Sequence, residues 1–124
     1  MLTILLLAAL VQGPSQPSQA ELEAAILAHQ TMLFTHPRMC PPGTRNCPKG
    51  PKRITVTQFA CDGHGRDQKG EAFLVCRTSF RFVGGAFAHV RTPVECVPLR
   101  WSAAAAAWRV ALIPEKDQCG TPDP

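Results

Sequence analysis

Residues 60–71, ACDGHGRDQKGE, crowd a cysteine, two aspartates, a histidine, three glycines and two cations into one short stretch. Such a mixture could ligate a metal, cradle a phosphate or supply an acid and a base. Each chemistry makes a demand on spacing. A calcium loop starting at Asp62 would need oxygen ligands where His64 and Arg66 stand. A phosphate cradle needs the glycines to lead into a helix, whereas EAFLVCRTSFRFV, which follows, alternates like a strand. Zinc would need His64 joined by Asp62, Asp67 or Cys61, and the chain has no CxxC pair. The stretch therefore reads as a polar hairpin loop closing at Cys61 and Glu71. No metal and no cofactor is expected.

Acid–base catalysis could instead use a pair of histidines, as in a small basic secreted ribonuclease. No stretch resembles the pancreatic ribonuclease motifs. His64 and His89 fall at opposite ends of the expected sheet, and His29 lies on the apolar face of a helix. His36 with His89, helped by nearby arginines, remains as an alternative reading, a small secreted hydrolase. Past residue 20 the serines are Ser79 and Ser102, and neither lies in G-x-S-x-G or S-x-x-K. The preferred reading is a non-enzymatic binding or inhibitory module.

The compartment follows from the N-terminus and the cysteines. MLTILLLAALVQ is apolar but too short to span a membrane as a helix. GPSQPSQA follows, with Ser18 and Ala20 at the positions a signal peptidase reads, so residues 1–20 are expected to be a leader. No Lys or Arg precedes the apolar run. Six cysteines, Cys40, Cys47, Cys61, Cys76, Cys96 and Cys119, suit three disulfides in an oxidising compartment. The absence of tyrosine, the single asparagine and the excess of Arg over Lys are what GC-rich codons produce. A bacterial periplasmic or secreted protein is the expectation, with no transmembrane segment in the mature chain.

The elements that must position these groups form an α+β pattern. A helix is expected over 21–35, with Leu22, Ala25, Ile26, His29 and Leu33 on one face. Pro37 stops it. A proline-rich loop with no acidic residue spans 36–52. Strands are expected over 53–60, 71–83, 86–101 and 108–113, and residues 115–124 form a loose tail. The helix packs on a four-stranded antiparallel β-meander within one disulfide-stabilised domain, 21–114.

A bulged turn at Gly84–Ala86 would set Phe80 opposite Val90 and Leu74 opposite Cys96. Closing the first hairpin at Cys61 and Glu71 would set Ile54 opposite Thr78. Trp101 would face Trp108. Six cysteines allow 15 connectivities; these registers favour Cys76 with Cys96, Cys40–Cys47 could close the proline-rich loop, and that would leave Cys61 for Cys119. Cys61 and Cys76 would lie about 17 Å apart at ~3.4 Å per residue.

Formal net charge is +4. The solvent face of the expected sheet carries Arg53, Arg77, Arg81, His89 and Arg91, with Arg38, Arg45, Lys49 and Lys52 in the loop. An anionic envelope polymer or an acidic protein would suit such a face. Nucleic acid suits it less, because the tryptophans fall on the buried side and no tyrosine offers a stacking platform.

Overall fold

The computed structural model describes residues 14–122 apart from His89. Most of the expected leader, and His89 of the expected basic set, lie outside the described residues. Helix α1 covers Gln19–Thr35. It starts two residues earlier than periodicity alone suggests, because S-Q-A-E at 18–21 is a capping box. Ser18 Oγ accepts the Glu21 N–H at 3.2 Å, and Glu21 Oε1 accepts the Ser18 N–H at 2.9 Å. The helix ends where His36, extended at ψ 140°, precedes Pro37. Leu22, Ala25, Ile26 and Phe34 are buried. Leu33, expected on that face, stays 38% exposed, and Phe34 turns inward against Gly50 instead.

The sheet contains β1 (Arg53–Arg66), β2 (Ala72–Val83), β3 (Glu95–Ser102) and β4 (Ala107–Val110), all antiparallel. A two-residue β5, Thr121–Pro122, joins the far side of β1 and gives the order β4-β3-β2-β1-β5. The α+β architecture is therefore the expected one. Its main core lies between α1 and one sheet face, with Leu22, Ile26, Ile54, Val56, Cys76, Phe80, Leu99 and Trp108 in contact.

The registers differ from expectation in two of three hairpins. β1 does not stop at Ala60 but runs on through CDGHGR, so the turn shrinks to 67–70 and the ladder slides. Ile54 faces Phe82 rather than Thr78, with bulges between Val56 and Gln58 and between Ala60 and Gly63. Two of the three glycines that suggest a loop, Gly63 and Gly65, are strand positions lying under large side chains, whereas Gly70 takes positive φ in the turn. A Cβ on Gly65 would collide with the Phe73 ring, and one on Gly63 would lie 3.0 Å from Val75.

In the second hairpin, residues 84–94 form a wide connection rather than a bulged turn with a continuing strand. Gly84 and Gly85 take positive φ (76° and 81°) and swing the chain off the ladder. Phe87 then stacks on Phe34, 5.8 Å between centroids. The chain touches β2 at one bridge, Arg81 opposite Arg91, before β3 sets Cys76 opposite Val97 and Leu74 opposite Leu99. The third hairpin is as expected, with Trp101 facing Trp108.

These shifts rewire the disulfides. Cys40–Cys47 forms as expected, but the other pairs are Cys61–Cys76 and Cys96–Cys119. The bulge at 60–63 brings Cys61 directly across from Cys76, with Cα atoms 3.9 Å apart, not at the far end of the strand. Cys96 sits on the outer face opposite Arg77, where Cys119 meets it. The tail from residue 115, expected to be loose, is held by the Cys96–Cys119 bridge and by the pairing of Thr121–Pro122 with β1. Ala111 and Ile113 bury Phe73 and Val75 on the outer face. The Gln118 amide donates to Ile113 O at 3.1 Å.

The free edge of β1 is covered by the start of the helix. Val56 N–H donates to Glu23 at 2.8 Å, Gln19 donates to Val56 O at 3.0 Å, and Gln16 donates to Cys61 O at 3.2 Å. These bonds satisfy edge groups that would otherwise invite another strand. A chain beginning at Glu21 lacks Gln16, Gln19 and the Ser18 cap. Compared with a chain beginning at Pro14, it should be less stable by about 1–3 kcal/mol. Urea unfolding of the two oxidised chains checks this, and equal midpoints would show that the pre-helix contacts contribute nothing.

Candidate functional site

The ACDGHGRDQKGE stretch is turned to structural use. Asp67 opens the β1–β2 turn. One of its carboxylate oxygens accepts the Lys69 and Glu71 N–H groups, each at 2.9 Å, and the other accepts Arg100. The Glu71 N–H holds the Asp67 carboxyl below its ordinary value, with Arg100 and the Lys69 N–H adding to the effect and partial burial opposing it. Asp62 pairs with Arg77 across the bulge at 2.7 Å. The two carboxylates are thus directed at different arginines. Among the described residues no three His, Cys, Asp or Glu side chains converge in a metal-ligating group.

The histidines are spread through the fold. His36 ends the helix, and its Nδ1 accepts the Arg38 N–H at 3.1 Å. Its expected partner, His89, lies outside the described residues. His29 lines a small cleft with Gln30, Glu95 and Gln118 beside the start of β3, which sequence periodicity does not reveal. Burial pushes His29 down and Glu95 up. The cleft holds about 110 Å³, room for a few waters rather than a substrate. A wider cleft of about 460 Å³ on the outer face is lined by Asp62, Val75, Arg77, Gly120 and the Cys96–Cys119 bridge. Its charged groups, Asp62 and Arg77, already satisfy each other.

The five-residue basic set divides. Arg53, Arg77, Arg81 and Arg91 are all exposed on the outer face, where Arg53 faces Val83 and Arg81 faces Thr55. Arg77 is compensated by Asp62 beside the C-terminal segment. Arg53, Arg81 and Arg91 gather at the other end of the ladder, where the latter two oppose each other directly. The sheet contains a second opposed pair, Arg100 and Arg109. There Arg100 is paired with Asp67 and lies 3.7 Å from Glu71. Among the described residues no carboxylate pairs with Arg53, Arg81 or Arg91.

The loop after the helix extends this basic end. Lys52 N–H donates to Val83 O, and Lys49 O accepts the Ala86 N–H, each at 2.9 Å. A signal for this was available in the sequence. No acidic residue occurs between Glu23 and Asp62 or between Glu71 and Glu95. The fold brings the middles of these two acid-free stretches together.

Comparison with known proteins finds no matching family, no similar curated protein and no similar solved structure. The site must be read from its own chemistry.

The Asp67 turn gives a pH test. Its carboxyl titrates lower folded than unfolded, so its stabilisation is present above the unfolded value and is lost as pH falls through the folded one. Asp67→Ala should melt below wild type near neutral pH. The gap should narrow below about pH 4 and close in stronger acid. A gap independent of pH would mean that the carboxylate is not what orders the turn.

Proposed function

We propose that this is a small exported binding module whose basic end docks on an anionic component of the cell envelope bearing phosphate or carboxylate groups. Three disulfides support a compartment outside the cytoplasm. Among the described residues no helix is long and apolar enough to cross a membrane. The leader reading of residues 1–20 supplies the route of export, and the composition supports a bacterial origin with periplasmic or secreted location.

The observation that carries the reading is the pair Arg81–Arg91, which no carboxylate among the described residues compensates. Like charges directly opposite on adjacent strands are destabilising. The Arg100–Arg109 pair is relieved from within by Asp67 and Glu71, while the Arg81–Arg91 pair, with Arg53 nearby, waits for an anion from outside. A bound phosphate or carboxylate would accept charge-assisted hydrogen bonds from the guanidinium groups. Encounter would be steered by a field unopposed at that end.

The reading makes stability and binding move in opposite directions. Arg91→Gln should raise unfolding free energy by about 0.5 kcal/mol by relieving repulsion. The same change should lower retention on an anionic matrix. The double change Arg81→Glu with Arg91→Glu should leave the fold intact and abolish retention at low salt. Wild-type retention should fall steeply between 0.1 M and 1 M salt, as the screening length drops from ~10 Å to ~3 Å. If the double variant is retained like wild type, these arginines are only a solvated face.

A further inference from the structure

Four large apolar side chains stand in water at the same basic end. Leu33 is 38% exposed, Met39 43%, Phe87 43% and Val90 49%. The fold brings them there from two separate segments. Leu33 is in the last turn of α1, and Met39 lies in the turn after it, where its N–H donates to His36 O at 3.0 Å. Phe87 stacks on Phe34 of that helix end, and Val90 N–H donates to Phe87 O at 3.0 Å. The same connection is tied to Lys49 through Ala86 and leads directly into Arg91. The cations of this end include Arg38, Lys49, Lys52, Arg53, Arg81 and Arg91, and neither segment contains an acid.

Single exposed apolar residues need no explanation. Apolar side chains among uncompensated cations have a specific complement. A polyanion in solution would satisfy the arginines and leave Met39, Phe87 and Val90 wet. A lipid surface with anionic headgroups satisfies both: the headgroups attract the cations within a screening length, and the apolar tips enter the boundary between headgroup and acyl chain. We propose that the anionic component recognised by this end is a phospholipid bilayer surface, with Met39, Phe87 and Val90 inserting between the headgroups. This rests on the anion-binding reading above and names its partner.

The test uses the oxidised protein as exported, co-sedimented with vesicles of phosphatidylcholine alone or with added phosphatidylglycerol, and in parallel applied to immobilised heparin. The protein should sediment with the phosphatidylglycerol vesicles and not with the neutral ones. The double variant Met39→Ser with Val90→Ser should lose about tenfold in partition, from removal of two buried apolar side chains. Its retention on heparin and its melting temperature should be unchanged. Phe87→Ser should give a similar loss, with its melting temperature reporting any cost of the missing Phe34 contact.

Undiminished sedimentation of both variants overturns the insertion. Equal sedimentation with neutral vesicles assigns the binding to other apolar surface, such as exposed Val94 and Leu112, and also overturns it. Retention on heparin without vesicle binding removes the bilayer and leaves the anion-binding reading standing. Failure on both supports removes the two together.

Discussion

Cys61 and Cys76 face each other across the longest ladder of the sheet, and the rest of the molecule takes its register from that contact. A slip of one residue would turn every side chain of β2 to the opposite face. With the crosslink in place, Cys76, Thr78 and Phe80 are held toward the helix and Arg77 and Arg81 toward the other side. The covalent tie also limits the unfolded chain, an effect on the order of 3 kcal/mol for a loop of this length in the chain-entropy account. The bulge between Ala60 and Gly63 is part of the same arrangement, because it brings the cysteines into line and carries Asp62 to Arg77.

Once the register is set, each side of the sheet must be covered or left wet. Helix α1 covers the apolar side and, through Gln19 and Glu23, closes part of the β1 edge. The C-terminal segment covers the outer side over Phe73 and Val75 and, through the Cys96–Cys119 bridge, beside Arg77. Beyond Arg77 the outer positions of β2 are Ser79, Arg81 and Val83, with Arg81 exposed. The boundary between the covered and open halves of the outer face therefore follows the change in β2 from Val75 to Arg81.

This partition segregates charge without any change in net charge. Carboxylates lie around the β1–β2 turn, where Asp67 and Glu71 neutralise Arg100, while the opposite end gathers cations from the helix exit, the start of β1 and the 84–94 connection. The proposed docking on an extended anionic surface relies on this field of one sign, bordered by exposed Met39, Phe87 and Val90. The small His29–Glu95 cleft on the helix side offers neither that volume nor that charge.

The sequence by itself determined the order of elements, the helix with its stop at Pro37, the α+β class and the participation of six cysteines in three bridges. These depend on local periodicity, on proline chemistry and on an even count. It also determined that Arg77 and Arg81 face water, since alternation within a strand does not depend on which strand lies beside it; Arg91 is exposed as well, but from a connection and not from a strand. Partnership between strands was decided only by the tertiary structure. Gly63 and Gly65 look like turn residues until Phe73 and Val75 are seen to need the space above them. Residues 86–94 alternate like a strand, yet the chain leaves the ladder there and Phe87 packs against Phe34. Two of the three disulfides, the compensation of Arg77 and the confrontation of Arg81 with Arg91 all follow from those choices. Each is a contact between residues distant in the chain, and such contacts are set by the volume and charge of neighbours that only folding supplies.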